Sequence, residues 1–174
     1  MEVATMRNDL KQSIEADLKI AMEPESWEPS IQEEIADLFA PTLPNTILNF
    51  TELNNPILTK KRFIEAISEA LRQSMVLYPE LIIMGQDIAE YGGAFKVTEG
   101  FVQQFGKQRV RNTPICESAI VGAALGLSME GMKSVVEMQF ADFVTVAFNQ
   151  IVNNLAKMHY RWGQNADVVV RMPT

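Results

Sequence analysis

The sequence predicts an α/β protein with a mostly parallel sheet, helices on both faces of that sheet, and an α-helical tail in front of it. From residue 58 onward, short apolar runs alternate with amphipathic helical segments, which is the pattern of strands joined by crossover helices. The 174 residues are 47% apolar, which is enough for one full core with an appendage.

Charge and composition divide the chain into parts. Residues 1–40 carry three Lys/Arg and ten Asp/Glu, whereas the remainder carries twelve of each. Residues 41–57 contain three prolines and four asparagines, which predicts an irregular linker. We therefore expect an acidic helical segment over 1–40, a linker over 41–57 and an α/β domain over 58–174.

Two helices are predicted in the acidic segment. Met6, Leu10 and Ile14 recur on one face of a helix over 5–22. A second helix follows Ser30, which together with Glu33 has the form of a capping box. Both apolar stripes are narrow, so we expect these helices to pack on another part of this chain or on a neighbour.

The α/β domain is predicted to contain four strands and four helices. The run LIIMG is apolar throughout and short, which is typical of a strand buried on both faces. In chain order, the predicted elements are a helix over 59–79, a strand over 81–85, a helix near 101–106, a strand near 109–115, a helix from 117 to about 130, a strand over 134–138, a helix over 143–163 and a strand over 167–172.

Composition argues against several classes of function. No apolar run is long enough for a membrane span, so we expect a soluble, cytoplasmic protein that does not bind membranes. One Cys and one His cannot build a four-ligand zinc site, and no metal ligands are predicted in this chain. The chain has no basic stripe with interleaved aromatic residues, so nucleic acid binding is not expected. The glycine-rich motifs for dinucleotides and triphosphates do not occur.

Glu117 is the residue that points most directly to a function. It lies between an apolar stretch and a segment rich in Ala, Gly, Ile, Val and Leu, so we expect its side chain to be buried. A carboxylate in an apolar site is costly unless it is paired or hydrogen-bonded. The local sequence leaves two interpretations open. Glu117 is a functional acid, or it caps the helix, because the helix dipole favours Glu in a first turn.

Other polar residues follow the predicted strands. Ligands of parallel sheets bind outside the carboxyl ends of the strands. Gln86 follows the first strand and Gln139 the third, and we expect Glu117 and Gln139 to share this edge on strands that could well be neighbours. Phe140 and Phe143 come next. Together these residues would suit a flat heterocycle with ring nitrogens, unless both phenylalanines belong to the core.

These residues form blocks that are characteristic of a known family. With its blocks TPICESAIVG, EMQFADF and NQIVNNLAK, the segment 58–174 resembles the pyrimidine-binding domain of the beta subunit of thiamine-diphosphate-dependent 2-oxoacid dehydrogenases, of the pyruvate or branched-chain type. Residues 1–40 resemble, more weakly, the C-terminal tail of the alpha subunit. The resemblance implies a transketolase-like fold, truncated at its C-terminal side, in a piece of a fused alpha-beta chain.

The resemblance assigns roles to individual residues. It makes Glu117 the catalytic acid that hydrogen-bonds the ring nitrogen of the cofactor's aminopyrimidine. It places Phe143 at the position that stacks on the pyrimidine, Gln139 in the same pocket and Ile115 on an apolar wall. The family often has an acid at the position of Gln86, where it is thought to couple the two cofactor sites of a tetramer. An amide cannot relay a proton as a carboxylate can, and Asp87 is the nearest substitute.

The resemblance also implies a cofactor and partners. The cofactor is thiamine diphosphate, held here by its pyrimidine half, while Mg²⁺ and the diphosphate are expected on a partner alpha-type domain or chain. The other expected partner is the lipoyl-bearing acyltransferase core of the complex, and the protein is expected to be a homo- or hetero-oligomer. The 174 residues by themselves are expected to be inactive.

Two other functions are compatible with the sequence. A noncatalytic α/β assembly or regulatory domain would have the same fold, but it would have no reason to keep a desolvated acid at position 117. Another transketolase-type enzyme, or a deoxysugar-phosphate synthase, would use the same cofactor. The EMQFADF and NQIVNNLAK blocks favour the dehydrogenase branch.

Overall fold

The computed structural model describes residues 2–23, 30–41 and 60–174. The chain divides into two compact units, Met1–Phe39 and Ala40–Thr174, which we describe separately. Apart from Pro41, the predicted linker lies outside the described residues.

The described residues of the first unit form two helices, as predicted. Helix α1 spans Glu2–Ala21 and helix α2 spans Ile31–Asp37. The hydroxyl of Ser30 accepts a hydrogen bond from the backbone N–H of Glu33 at 3.3 Å, which provides the expected N-cap of α2. The apolar side chains on the predicted stripe of α1 are exposed.

The second unit is an α/β domain, which confirms the predicted fold class. Its described residues form a four-stranded sheet in the order β2-β1-β3-β4, with every neighbouring pair parallel. In chain order the elements are α3 (Phe63–Leu77), β1 (Leu81–Gly85), α4 (Phe101–Phe105), β2 (Val110–Asn112), α5 (Glu117–Met129), β3 (Lys133–Glu137), α6 (Val144–Asn153), α7 (Met158–Trp162) and β4 (Val168–Arg171).

The core lies on both faces of the sheet. All five residues of β1 are buried, as its apolar sequence predicts. Successive side chains of a strand point to opposite faces. Ile83 accordingly packs in a cluster with residues of α3 and α4, whereas Met84 packs in a second cluster with residues of α5 and α6. The helices therefore cover both faces and leave the carboxyl edge of the sheet for a site.

The predicted helix over 143–163 is not continuous. A 3-10 turn precedes α6, and a second one, Leu155–Lys157, separates α6 from α7. The break follows Asn153 and Asn154, whose side-chain amides donate to Asn149 and Gln150 one turn earlier, each at 2.6 Å. Asn154 also departs from helical geometry, with φ −115° and ψ −66°. Asparagine is a weak helix former, and two in succession end this helix.

Candidate functional site

A buried pair of polar side chains lies at the carboxyl edge of the sheet. The side-chain amide of Gln86 donates a hydrogen bond to Oε1 of Glu117 at 3.1 Å. Both residues are only 6% exposed. The acid that the sequence singles out is therefore buried, and Gln86 provides the hydrogen bond that a buried carboxylate needs.

The backbone explains why Glu117 lies at this edge. Strand β2 ends at Asn112, earlier than the predicted end at Ile115 and Cys116. The N–H of Thr113 still donates to the carbonyl of Gly85 at 2.9 Å, and the ladder with β1 stops before Pro114. The chain then turns, and Glu117 becomes the first residue of α5. Glu117 therefore has the helix-start position that the capping interpretation predicted, together with the burial that the functional interpretation predicted.

The order of the strands corrects one prediction. The strands that precede Glu117 and Gln139, β2 and β3, are not neighbours, because β1 lies between them. Among the described residues, the hydrogen-bond partner of Glu117 is therefore Gln86, at the end of the central strand. Gln139 is half-buried and directly follows Met138, whose side chain is in the core. The beginnings of α5 and α6 are nevertheless joined, since the Ser118 hydroxyl donates to the carbonyl of Val146 at 2.6 Å.

Three phenylalanines form a partly exposed aromatic row near the same edge. Phe95 meets Phe140 edge-to-face, with 6.0 Å between ring centroids and 77° between ring planes. Phe140 meets Phe143 in the same way, at 6.0 Å and 85°. Phe140 and Phe143 are each 40% exposed, so neither is a fully buried core residue.

Ile115 and Asp87 lie outside this buried pair. Ile115 is 83% exposed, in the turn that leads to Glu117. Asp87 is exposed and has a positive φ of 55°, whereas the preceding Gln86 is buried against Glu117. It is therefore the amide, and not the neighbouring acid, that contacts Glu117.

Sequence reasoning missed a second buried carboxylate. Glu137, the last residue of β3, is 4% exposed and forms an ion pair with Arg171, the last residue of β4. Burial raises the pKa of Glu137 above its usual 4.5, and the effect outweighs the opposing influence of Arg171. The signal was present in the sequence, because the apolar runs SVVE and VVVR end in opposite charges.

Neither a cluster of metal-ligating side chains nor a membrane-spanning helix is found among the described residues. No group of three or more His, Cys, Asp or Glu side chains is placed to hold a metal ion in the part of the chain that the structure describes. Across residues 2–23, 30–41 and 60–174, no helix is both long enough and apolar enough to cross a bilayer.

The sequence was compared with models of known families. The model described as "Transketolase, pyrimidine binding domain" matches residues 59–173, about two thirds of the chain. The chain belongs to this family. The parallel sheet described above, with helices on both faces, is therefore that of a transketolase-like pyrimidine-binding domain.

Several relatives match the chain over a similar length. The chain is 42% identical over 113 residues to the 2-oxoisovalerate dehydrogenase subunit beta of Bacillus subtilis, which covers 64% of this chain and 35% of that protein. It is 45% identical over 112 residues to the pyruvate dehydrogenase E1 component subunit beta of Leifsonia xyli, covering 63% and 33%. Over 111 residues it is 42% identical to a chloroplastic pyruvate dehydrogenase E1 component subunit beta of Arabidopsis thaliana, covering 63% and 27%. The chain thus spans about a third of the length of the relatives it matches.

Proposed function

We propose that this pyrimidine-binding domain holds the pyrimidine half of thiamine diphosphate, in the decarboxylating component of a 2-oxoacid dehydrogenase. The observation that carries the proposal is the buried Glu117 carboxylate at the carboxyl edge of the sheet, with Gln86 hydrogen-bonded to one of its oxygens. The names of the relatives, which are beta subunits of pyruvate and 2-oxoisovalerate dehydrogenases, support the same reaction class.

The polar and aromatic groups at this edge suit an aminopyrimidine ring. Glu117 makes no second hydrogen bond with the described residues, so its Oε2 is available to a ring nitrogen. Phe140 and Phe143 are partly exposed, and Phe143 is the one we assign to stacking on the pyrimidine. We assign Gln139 to the lining of the same pocket and Ile115 to its apolar wall.

Each residue then has a role in the reaction. When bound, thiamine diphosphate supplies the carbon that adds to the 2-oxoacid and accepts the electrons released by decarboxylation. Glu117 exchanges a proton with the ring nitrogen, and its buried position excludes the water that would compete for that hydrogen bond. Gln86 fixes the orientation of the carboxylate through Oε1. Phe143 orients the plane of the ring.

The proposal requires a second component. We assign the diphosphate and Mg²⁺ to an alpha-type domain or chain, which forms a homo- or hetero-oligomer with this domain. The acceptor of the acyl group is then the lipoyl-bearing core of the complex. Residues 1–40 are proposed to be the tail of the alpha-type domain, and 41–57 the linker to the pyrimidine-binding domain at 58–174. We propose a cytoplasmic location, although the relative from Arabidopsis is named chloroplastic.

The test is the substitution Glu117→Gln in the full-length protein with its partner domain. It should slow hydrogen–deuterium exchange at the thiazolium carbon of bound thiamine diphosphate by about 10²–10⁴-fold, the usual contribution of a positioned acid or base. The free energy of unfolding should change by less than about 1 kcal/mol, because a glutamine can still accept the hydrogen bond from Gln86. Nuclear magnetic resonance of quenched samples measures the exchange, and urea unfolding measures the stability.

The matched control is Glu130→Gln. Glu130 is exposed at the other end of α5, so its substitution removes the same charge from the same helix without touching the edge of the sheet. Exchange in this control should match that of the wild type. Unchanged exchange in Glu117→Gln would refute the assignment and would favour a noncatalytic assembly or regulatory domain.

A further inference from the structure

The ion pair between Glu137 and Arg171 has no role in the proposed reaction. The two residues are register partners at the ends of β3 and β4, and their side chains are 5% and 16% exposed. A buried ion pair is weak evidence for stability, because removing both charges from water offsets most of their attraction. Its position at the edge of the sheet therefore calls for another explanation.

A loop packs directly on the carboxylate of Glu137. This segment, the 86–100 loop, joins β1 to α4 and includes Gly93 at φ +78°. A Cβ atom at Gly93 would lie 3.1 Å from Oε1 of Glu137 and 3.7 Å from the hydroxyl of Thr98. The first distance is shorter than an ordinary van der Waals contact. The glycine thus allows the loop to approach the ion pair closely.

The loop is closed by its own hydrogen bonds around this contact. The N–H of Gly93 donates to the carbonyl of Asp87 at 2.9 Å, and the N–H of Thr98 donates to the carbonyl of Gly92 at 3.2 Å. The Thr98 hydroxyl, which is fully buried, donates to the carbonyl of Ile88 at 2.6 Å. The loop is therefore one folded unit, and Glu137 lies beneath it.

The same loop carries one end of the aromatic row. Phe95 lies two residues after Gly93 and contacts Phe140, which in turn contacts Phe143. The other end of the row is held by the segment that directly follows β4, because the N–H of Ala141 donates to the carbonyl of Pro173 at 3.0 Å. The ion pair links the 86–100 loop to β4, since Glu137 lies under the loop and Arg171 is the last residue of β4.

We propose that the Glu137–Arg171 ion pair is a positioning device that holds the 86–100 loop, and through Phe95 and Phe140 sets the position of Phe143. The inference rests on the proposed function in one respect, namely that Phe143 stacks on a pyrimidine. Neither charged residue touches the cofactor in this proposal. Loss of the pair should therefore weaken cofactor binding more than it slows the reaction of the bound cofactor.

The first experiment compares Gly93→Ala with Gly100→Ala in the full-length protein. Both glycines have φ +78°, in the left-handed region that an alanine disfavours at either position. A Cβ atom at Gly100 has no heavy atom within 4 Å, whereas one at Gly93 meets Glu137. Hydrogen exchange of the Thr98 amide, measured without cofactor, should accelerate about tenfold more in Gly93→Ala than in Gly100→Ala. The Kd for thiamine diphosphate should rise about tenfold in Gly93→Ala only.

The second experiment breaks the ion pair itself. Arg171→Met should loosen the loop and raise Kd as Gly93→Ala does, while Arg171→Lys should recover part of both effects because it keeps the charge. The matched control is Lys133→Met, which breaks the exposed pair of Lys133 and Asp167, 2.7 Å apart, near the other end of the same two strands. This control should leave loop exchange and Kd at their wild-type values. In Gly93→Ala and Arg171→Met, the rate constant at saturating cofactor should fall less than the affinity does.

The outcomes separate the two proposals. If Gly93→Ala and Gly100→Ala give the same loop exchange and the same Kd, the positioning role is refuted, and this comparison decides the matter even if Arg171→Met does not fold. Equal effects of Arg171→Met and Lys133→Met would refute it as well. A wild-type protein that does not bind thiamine diphosphate would refute the proposed function instead. Exchange in the cofactor-free loop would still show whether the ion pair holds it.

Discussion

Replacing Gln86 with leucine tests whether the buried carboxylate of Glu117 depends on its amide partner. Leucine has about the same volume, so the change removes the donor to Oε1 and little else. A hydrogen bond to a charged group contributes about 1.5–3 kcal/mol, and Glu117, at 6% exposure, has little water with which to replace it. We expect Gln86→Leu to lower the free energy of unfolding by about 1.5–3 kcal/mol. For a chain of this size, the corresponding decrease in Tm is roughly 3–12 °C.

Urea unfolding of three variants at neutral pH measures this dependence. The control is Gln103→Leu, which makes the same change at an exposed position of α4 and should alter stability by no more than about 0.5 kcal/mol. The double variant Gln86→Leu with Glu117→Leu should regain most of the loss, because replacing both partners by apolar groups is nearly neutral. Equal destabilisation by Gln86→Leu and Gln103→Leu would refute the reasoning. If the double variant stayed as unstable as Gln86→Leu, the loss would have to be attributed to packing at position 86.

Two further predictions concern pH and the isolated chain. Because burial raises the pKa of Glu137 above 4.5, the folded chain retains a proton that the unfolded chain has already released. This contribution to stability is complete below pH 4.5 and is lost as the pH rises through the raised pKa of Glu137. Between these two pH values, the free energy of unfolding of the wild type should therefore fall relative to that of Glu137→Gln. Urea unfolding at a series of pH values measures the difference. A difference that does not change with pH would contradict this. Separately, the 174 residues alone should show no decarboxylation of a 2-oxoacid with an artificial electron acceptor, and any turnover would contradict the need for a partner domain.

The elements that could be predicted from the sequence are those that local chemistry determines. Strand β1 has the predicted bounds because its five apolar residues lie between Pro79 and the polar pair Gln86-Asp87, which mark where the buried strand begins and ends. Helix α5 starts at the predicted residue, Glu117, which stands directly before the helical segment rich in Ala, Gly, Ile, Val and Leu. The parallel sheet follows from the alternation of strands and helices along the chain.

The order of the strands depends on pairings between distant residues, and no local pattern contains it. Glu117 and Gln139 were expected on strands that could be neighbours, and the central position of β1 separates them. The importance of Glu137 was missed for a similar reason. A charge at the end of a strand is usually solvated, and its burial becomes evident only when Arg171 and the 86–100 loop are placed around it.

The amide at position 86 decides how Glu117 can meet a ligand. The amide nitrogen of Gln86 can only donate, so it keeps Oε1 of Glu117 as an acceptor and leaves Oε2 for the ring nitrogen that we propose. A carboxylic acid at position 86 could make the same contact only by contributing its own proton, and the two acids would then share it. The glutamine thus keeps the geometry of the pair without placing a second acid in it. Asp87 does not restore that proton, because it is exposed while Gln86 fills the buried position. In the proposed function, proton exchange at this edge therefore belongs to Glu117 and its ligand, and residue 86 provides no acid that could relay a proton between two such sites.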